Sequence, residues 1–151
     1  MIRGGERSLR AARRVGPHGH VVGVDISESL LAIAREKAVD QSISNIELRT
    51  GDADSLDGIA DASFDAATVR WGLGASPSPQ RALHSLRRVL EPGAVLVAAV
   101  WAEIERVPWA FVARRRLGAF RDVPDIDPDA PGAFLFADEG RLVRALDEPA
   151  S

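Results

Sequence analysis

Residues 21–25 read Val-Val-Gly-Val-Asp, and a helix pattern opens directly behind them at Ser27 with Glu-Ser-Leu-Leu-Ala-Ile-Ala. A short apolar run without polar alternation suits a strand buried on both faces, and such strands belong to parallel sheets whose connections are helices. Ser27 is placed to cap that helix, Glu28 suits its positive end, and Ile26 with Leu31 has the spacing of a hydrophobic staple. Leu30, Leu31, Ile33, Ala34 and Ala38 are the expected buried face. An acidic residue at the carboxyl end of such a strand is also where nucleotide-binding sheets grip a ribose, so Asp25 is the first candidate for chemistry.

The same alternation runs through most of the chain. Upstream, ERSLRAARRV carries Leu9, Ala12 and Val15 on one stripe and ends at Gly16-Pro17, a helix stop. Downstream come a strand at 46–49, a Gly-Asp turn at 51–52 and an apolar strand from Phe64 to Trp71. Ser78-Pro79 then makes a cap and first-turn pair for a helix carrying Ala82, Leu83, Leu86, Val89 and Leu90. Pro92-Gly93 stops that helix, and Ala94 opens the most apolar strand, expected well inside the sheet. A further helix is expected from Pro108 with Trp109, Phe111 and Val112 inward and Arg114, Arg115 and Arg116 outward. Residues 122–133 hold three prolines and four aspartates and read as a loop. Asp138 is placed to cap a last helix lined by Leu142, Val143 and Leu146. Helices alternating with strands predict one α/β layer system around a parallel sheet.

Composition narrows the function classes. A chain of 151 residues can bury a single core, and its net charge of -3 argues against coating nucleic acid. It has no cysteine, hence no thiolate chemistry or disulfide framework. No apolar run is long enough to span a bilayer and no secretory leader is evident, so the expected setting is cytoplasmic, without a membrane or nucleic-acid partner. His18, His20 and His84 lack metal-ligand spacing, so no metal site is expected. The arginines at 3, 7, 10, 13 and 14 read first as solvated helix surface. Trp101, Trp109, Phe111, Phe120, Phe134 and Phe136 read first as core beside helices, with an acceptor pocket as the alternative.

Four stretches together, ARRVGPHGHVVGVDISESLLAIAREKA, NIELRTGDADSL, FDAATVRWGL and ALHSLRRVLEPGAVLVAAV, resemble the class I S-adenosylmethionine-dependent methyltransferases, above all the ubiquinone and menaquinone biosynthesis type. The resemblance implies a Rossmann-like, doubly wound, mostly parallel sheet and S-adenosylmethionine as cofactor, with a small molecule as methyl acceptor. It implies that Asp25 accepts hydrogen bonds from the ribose hydroxyls, that Ile26 lies against adenine, and that Asp52 and Ala53 address the adenine amino edge. Arg70 and Trp71 would wall the region of the methionine moiety and the acceptor. Gly5 would be the last glycine of the family's glycine turn. Arg3 then falls on its middle glycine and Met1 on its first, so the family's first, central strand is expected to be absent. The last two strands are expected to be absent as well. On this reading 1–101 is a partial cofactor-binding domain and 102–151 its acceptor-side segment, with unpaired strand edges open to oligomer formation. An NAD-type oxidoreductase domain and a non-catalytic or split remnant are the alternatives.

Overall fold

The computed structural model describes residues 5–125, 127 and 129–148, and they fall into two compact units that meet in sequence at Asp57 and Gly58. The first contains α1 (Glu6–Val15), β1 (Val21–Asp25), α2 (Glu28–Asp40) and β2 (Ile46–Thr50). The second contains β3 (Phe64–Arg70), α3 (Pro79–Val89), β4 (Leu90–Ala99), a 3-10 turn (Ile104–Arg106), α4 (Pro108–Gly118) and α5 (Glu139–Asp147). Each unit holds one parallel strand pair connected through a helix, the α/β arrangement that the alternating sequence predicts. The expected single sheet is not continuous among the described residues: β1 pairs with β2 and β3 with β4.

In the first unit the register is unbroken from Val21 opposite Ile46 to Asp25 opposite Thr50. Packing turns on two glycines. Gly5, ahead of α1, has φ +67°, and a Cβ there would lie 2.2 Å from the Ala34 Cβ of α2. Gly23, the one buried residue of β1, lets α1 and β2 close in, since a Cβ would meet Ser8 Oγ and Leu48 Cδ2 at 2.8 Å each. The other residues of β1 are half-buried, short of the two-sided burial expected, because a two-stranded sheet gives each strand one open edge. Asn45 fastens the end of α1: its side-chain amide donates to the carbonyls of Ala12, Gly16 and Gly19 at 2.9, 2.8 and 3.1 Å. They belong to the helix terminus and the turn after it, where carbonyls lack the next helical donor; Gly16 O also accepts from Gly19 N at 3.2 Å. Leu9 and Ala12 are buried as the stripe predicts, while Val15, beside that turn, is half exposed.

Ser27 caps α2, its Oγ accepting from Leu30 N at 3.4 Å. Leu31, Ala34 and Ala38 form the buried face, whereas Ile33 is exposed. No staple closes: Leu31 is buried, but Ile26 is 75% exposed and turned to solvent.

In the second unit Phe64 pairs with Leu90, and the regular register then runs from Ala66 opposite Val95 to Arg70 opposite Ala99. The step from Phe64 to Ala66 thus spans Leu90 to Val95 on the partner, and β4 carries the extra residues at Pro92-Gly93, where Gly93 has φ +86°. The Pro-Gly pair therefore sits inside β4, and the strand starts before the expected Ala94. Val95 and Val97 are more than half exposed, so β4 is not the interior strand its composition suggested. The core lies elsewhere: Leu73, Ala82, Leu83, Leu86, Val89, Val107, Leu135 and Phe136 are buried. Pro79 opens α3, but the Ser78 hydroxyl caps nothing; Ser76 Oγ accepts from Ser78 N at 3.0 Å instead.

The expected orientation of α4 is overturned on its apolar side, Trp109, Phe111 and Val112 being exposed, while Arg115 and Arg116 face solvent as expected. Ala110 and the preceding Val107 turn inward, and Arg114 folds back to donate to the carbonyls of Val123 and Pro124. Arg114 also pairs with Asp125 at 3.2 Å, a link between the helix and the following loop that is invisible to helical periodicity. That loop is also latched at Gly132, whose N donates to Gly74 O at 2.6 Å; a Cβ on Gly74 would sit 2.6 Å from Gly132 O. Asp138 caps α5 as expected, accepting from Gly140 N at 2.8 Å, though Val143 and Leu146 stay partly exposed.

Candidate functional site

The carboxyl ends of β1 and β2 bring Asp25 and the 51–53 turn side by side, because Asp25 pairs with Thr50 and its carbonyl accepts from Gly51 N at 3.1 Å. Parallel strands end their backbone ladders there, which is why open α/β sheets bind ligands at that edge. Asp25 is half-buried, and its Oδ1 accepts from Ser27 N at 2.9 Å. That local turn locks the carboxylate in place and leaves its second oxygen without a partner among the described residues. Next to it Ile26 presents an exposed apolar side chain.

Asp52 is held in the same manner, Oδ1 accepting from Asp54 N at 3.0 Å while its carbonyl accepts from Ser55 and Leu56. The N–H of Ala53 makes no hydrogen bond among the described residues. The edge therefore offers two fixed carboxylates, a free amide and an apolar surface, a set able to accept from vicinal hydroxyls and to cover a flat ring. Gly5 stands at the start of α1 in the same unit, fixed by its left-handed backbone and its contact with Ala34. Met1, Arg3 and Gly4 lie outside the described residues.

Glu28 reinforces this edge in a way the sequence did not reveal. It accepts from Arg35 on its own helix and from Thr50 Oγ1 at the end of β2, and Arg35 also donates to Leu48 O at 3.0 Å. The Arg35 bond first, and the Thr50 bond second, hold the Glu28 carboxyl below the usual carboxylate range. Residues separated by a whole helix and strand make this link, so no local pattern announces it.

In the second unit Arg70 ends β3 and Trp71 follows it with φ +59°, a left-handed conformation that is an outlier for so bulky a residue. Trp71 N is tied to Ala99 O at 2.8 Å. Its ring stacks on Trp101 with centroids 4.5 Å apart and planes 11° from parallel, and Trp101 meets Trp109 edge to face at 5.5 Å. The Arg70 guanidinium carbon lies 3.6 Å from the Trp71 ring centroid. Trp101 and Trp109 thus leave the core reading: they join Arg70 and Trp71, which the sequence did single out. Of the phenylalanines Phe136 is buried, while Phe120 is 86% exposed.

Similarity to known proteins follows the same residues. Residues 3–98 match the family model described as a methyltransferase domain. Over 89 residues the chain is 40% identical to a demethylmenaquinone methyltransferase of Listeria monocytogenes serotype 4a, covering 59% of this chain and 37% of that protein. Over 101 residues it is 35% identical to a ubiquinone/menaquinone biosynthesis C-methyltransferase of Methylobacterium nodulans, covering 67% of this chain and 40% of that one. The chain thus spans well under half the length of these curated relatives. Its fold is similar to that of a SAM-dependent methyltransferase from Aquifex aeolicus, with a TM-score of 0.58 at 24% identity, over 63% of this chain and 50% of the other. With a family match that spans most of its length and includes both strand ends at which the candidate residues stand, the chain belongs to the methyltransferase domain family.

Proposed function

We propose that the protein is an S-adenosylmethionine-dependent methyltransferase acting on a small molecule. The observation that carries this reading is Asp25, locked by Ser27 N at the end of β1 with one carboxylate oxygen free, beside the Asp52-Ala53 turn. These groups fit the adenosine part of the cofactor. Asp25 accepts from the ribose hydroxyls, a charge-assisted contact, while Ile26 covers one adenine face. Asp52 and the Ala53 amide read the adenine edge as an acceptor and donor pair. Gly5 lets backbone approach the amino acid part of the cofactor where a side chain would intrude.

When bound, S-adenosylmethionine supplies a methyl group already activated on a sulfonium. The protein's own contribution is therefore alignment more than acid or base strength, and no side chain needs to act as a general base for every acceptor. Arg70 and Trp71 contribute on the acceptor side in this reading.

The test is a thermal melt of the protein with S-adenosylhomocysteine, the demethylated cofactor. A concentration-dependent rise in melting temperature is expected, because a ligand that binds only the folded state stabilises it. A folded sample that shows no rise at millimolar ligand overturns the reading in favour of a non-catalytic remnant. A rise with NAD alone overturns it in favour of an oxidoreductase domain.

A further inference from the structure

The last turn of α4 and the loop behind it form an open recess of about 350 Å³, and three guanidinium groups line it, those of Arg114, Arg115 and Arg121. Sites for small molecules run from about 300 to 1,000 Å³, so the space suits a compact ligand. Arg114 builds the recess: its Nη2 holds the loop against the helix through the carbonyls of Val123 and Pro124 and the Asp125 carboxylate, at 3.4, 2.5 and 3.2 Å. Its Nη1 and Nε make no hydrogen bond among the described residues. The Arg115 and Arg121 guanidiniums make no hydrogen bond or ion pair there either.

The two ordinary duties of such a cluster are already met by other groups. Cations near the end of a helix often serve its unpaired carbonyls. Here the carbonyls of Arg116 and Leu117 accept from the N–H groups of Ala119, Phe120 and Arg121. Mutual neutralisation does not account for the cluster. Asp122 is the one carboxylate on the lining, and it makes no ion pair with any of the three, while Asp125 engages Arg114 alone. Three guanidiniums against Asp122 leave two positive charges in excess, of which Asp125 offsets part at Arg114. Like charges facing one small space repel, and an anion entering it relieves that cost.

The lining also selects the kind of anion. A carboxylate offers two oxygens and suits one guanidinium fork, whereas a phosphate monoester offers three terminal oxygens and up to two negative charges. Phe111 and Val123 add apolar surface beside the cations, which the carbon body of an ester covers and a bare ion does not. We propose that this recess, at the opposite end of α4 from Trp109, binds a small organic phosphate monoester through Arg114, Arg115 and Arg121. The site does not depend on the methyltransferase reading.

Calorimetric titration with n-butyl phosphate, inorganic phosphate and pentanoate, in buffer free of phosphate and sulfate, tests it. Butyl phosphate is expected to bind about tenfold more tightly than pentanoate, through the additional charge-assisted bonds, and several-fold more tightly than inorganic phosphate, through the apolar lining. Arg115→Gln and Arg121→Gln should each weaken butyl phosphate about tenfold. Arg116→Gln removes a neighbouring cation that does not line the recess and should leave binding unchanged. Gly118→Leu blocks the recess without touching a charge, since a Cβ at Gly118 meets nothing within 4 Å and the larger side chain grows into open space. All four positions are exposed, so these variants are expected to melt with the parent protein, which separates loss of binding from loss of fold.

No binding of butyl phosphate at millimolar concentration overturns the proposal. So does equal binding of pentanoate or of inorganic phosphate, or a loss in Arg116→Gln as large as in Arg115→Gln. Undiminished binding in Arg115→Gln, Arg121→Gln or Gly118→Leu overturns it as well.

Discussion

The two strand ends of this protein are built on opposite principles. At the end of β1 and β2 the side chains that matter are short and acidic, and each is fixed by a backbone donor two residues further along: Ser27 N for Asp25, Asp54 N for Asp52. At the end of β3 and β4 they are long, flat and aromatic, and they are fixed by one another. A polar ligand with defined hydroxyls calls for acceptors held at set positions. A flat apolar one calls for surface. The contrast teaches that two strand ends of the same α/β design can carry unlike surfaces, one polar and fixed by backbone donors, the other aromatic and fixed by its own rings, each tied to its own strand pair.

The sharpest way to break this comparison is through the cores beneath each edge. Leu73, 1% exposed, sits among the buried residues of the second unit. Leu73→Ala is expected to cost about 4 kcal/mol in urea unfolding, as large cavities in tight cores do. Gly5→Ala strikes the first unit, where the new Cβ would meet Ala34 at 2.2 Å on a left-handed backbone. Strain and overpacking together predict a loss of about 3 kcal/mol. If the units unfold separately, far-UV circular dichroism will show each substitution shifting a different part of the transition; a common shift for both means that the two edges share one cooperative core.

A smaller effect sharpens the chemistry of the polar edge. Asp25→Asn keeps the shape and the turn bond but removes the charge, and it should weaken S-adenosylhomocysteine binding by about 2 kcal/mol, roughly thirtyfold in Kd. An unchanged Kd would reduce Asp25 to a turn former. Least is expected from pH. Glu28 has its folded pKa depressed by Arg35 and then Thr50, so its contribution is complete above the unfolded value of 4.5 and is lost as pH falls through the lower folded value. The urea midpoint of the protein should therefore drop on acidification below pH 4.5, less steeply in Glu28→Gln. Identical pH profiles would show that the Thr50 and Arg35 bonds do not hold the edge.

Much of the first unit was legible because its signals are local. The Val-Val-Gly-Val-Asp strand, the Ser27 cap and the Gly-Asp turn each follow from residues within a few positions of one another, and the structure has them in place. What escaped depends on partners far along the chain. Asn45 holds carbonyls of Ala12 and Gly16, and Glu28 meets Thr50. Neither pairing leaves a mark in a short window. The inward face of α4 was misjudged for a related reason: apolar spacing cannot tell a buried side chain from one displayed on a surface, and here Trp109 is displayed. The same ambiguity hid the aromatic edge, since three tryptophans spread from 71 to 109 carry no spacing that foretells a stack.

The stack has an optical consequence. The chain has no tyrosine, so its near-ultraviolet absorbance and intrinsic fluorescence arise almost wholly from three indoles in one place in the second unit. Two of them lie near-parallel at 4.5 Å, close enough to couple electronically and to give a split circular dichroism band that disappears once the rings separate. The first unit is optically silent by comparison. An emission-monitored melt of this protein therefore follows the aromatic edge alone, and its divergence from an amide-monitored melt measures how far the polar edge lives or dies independently.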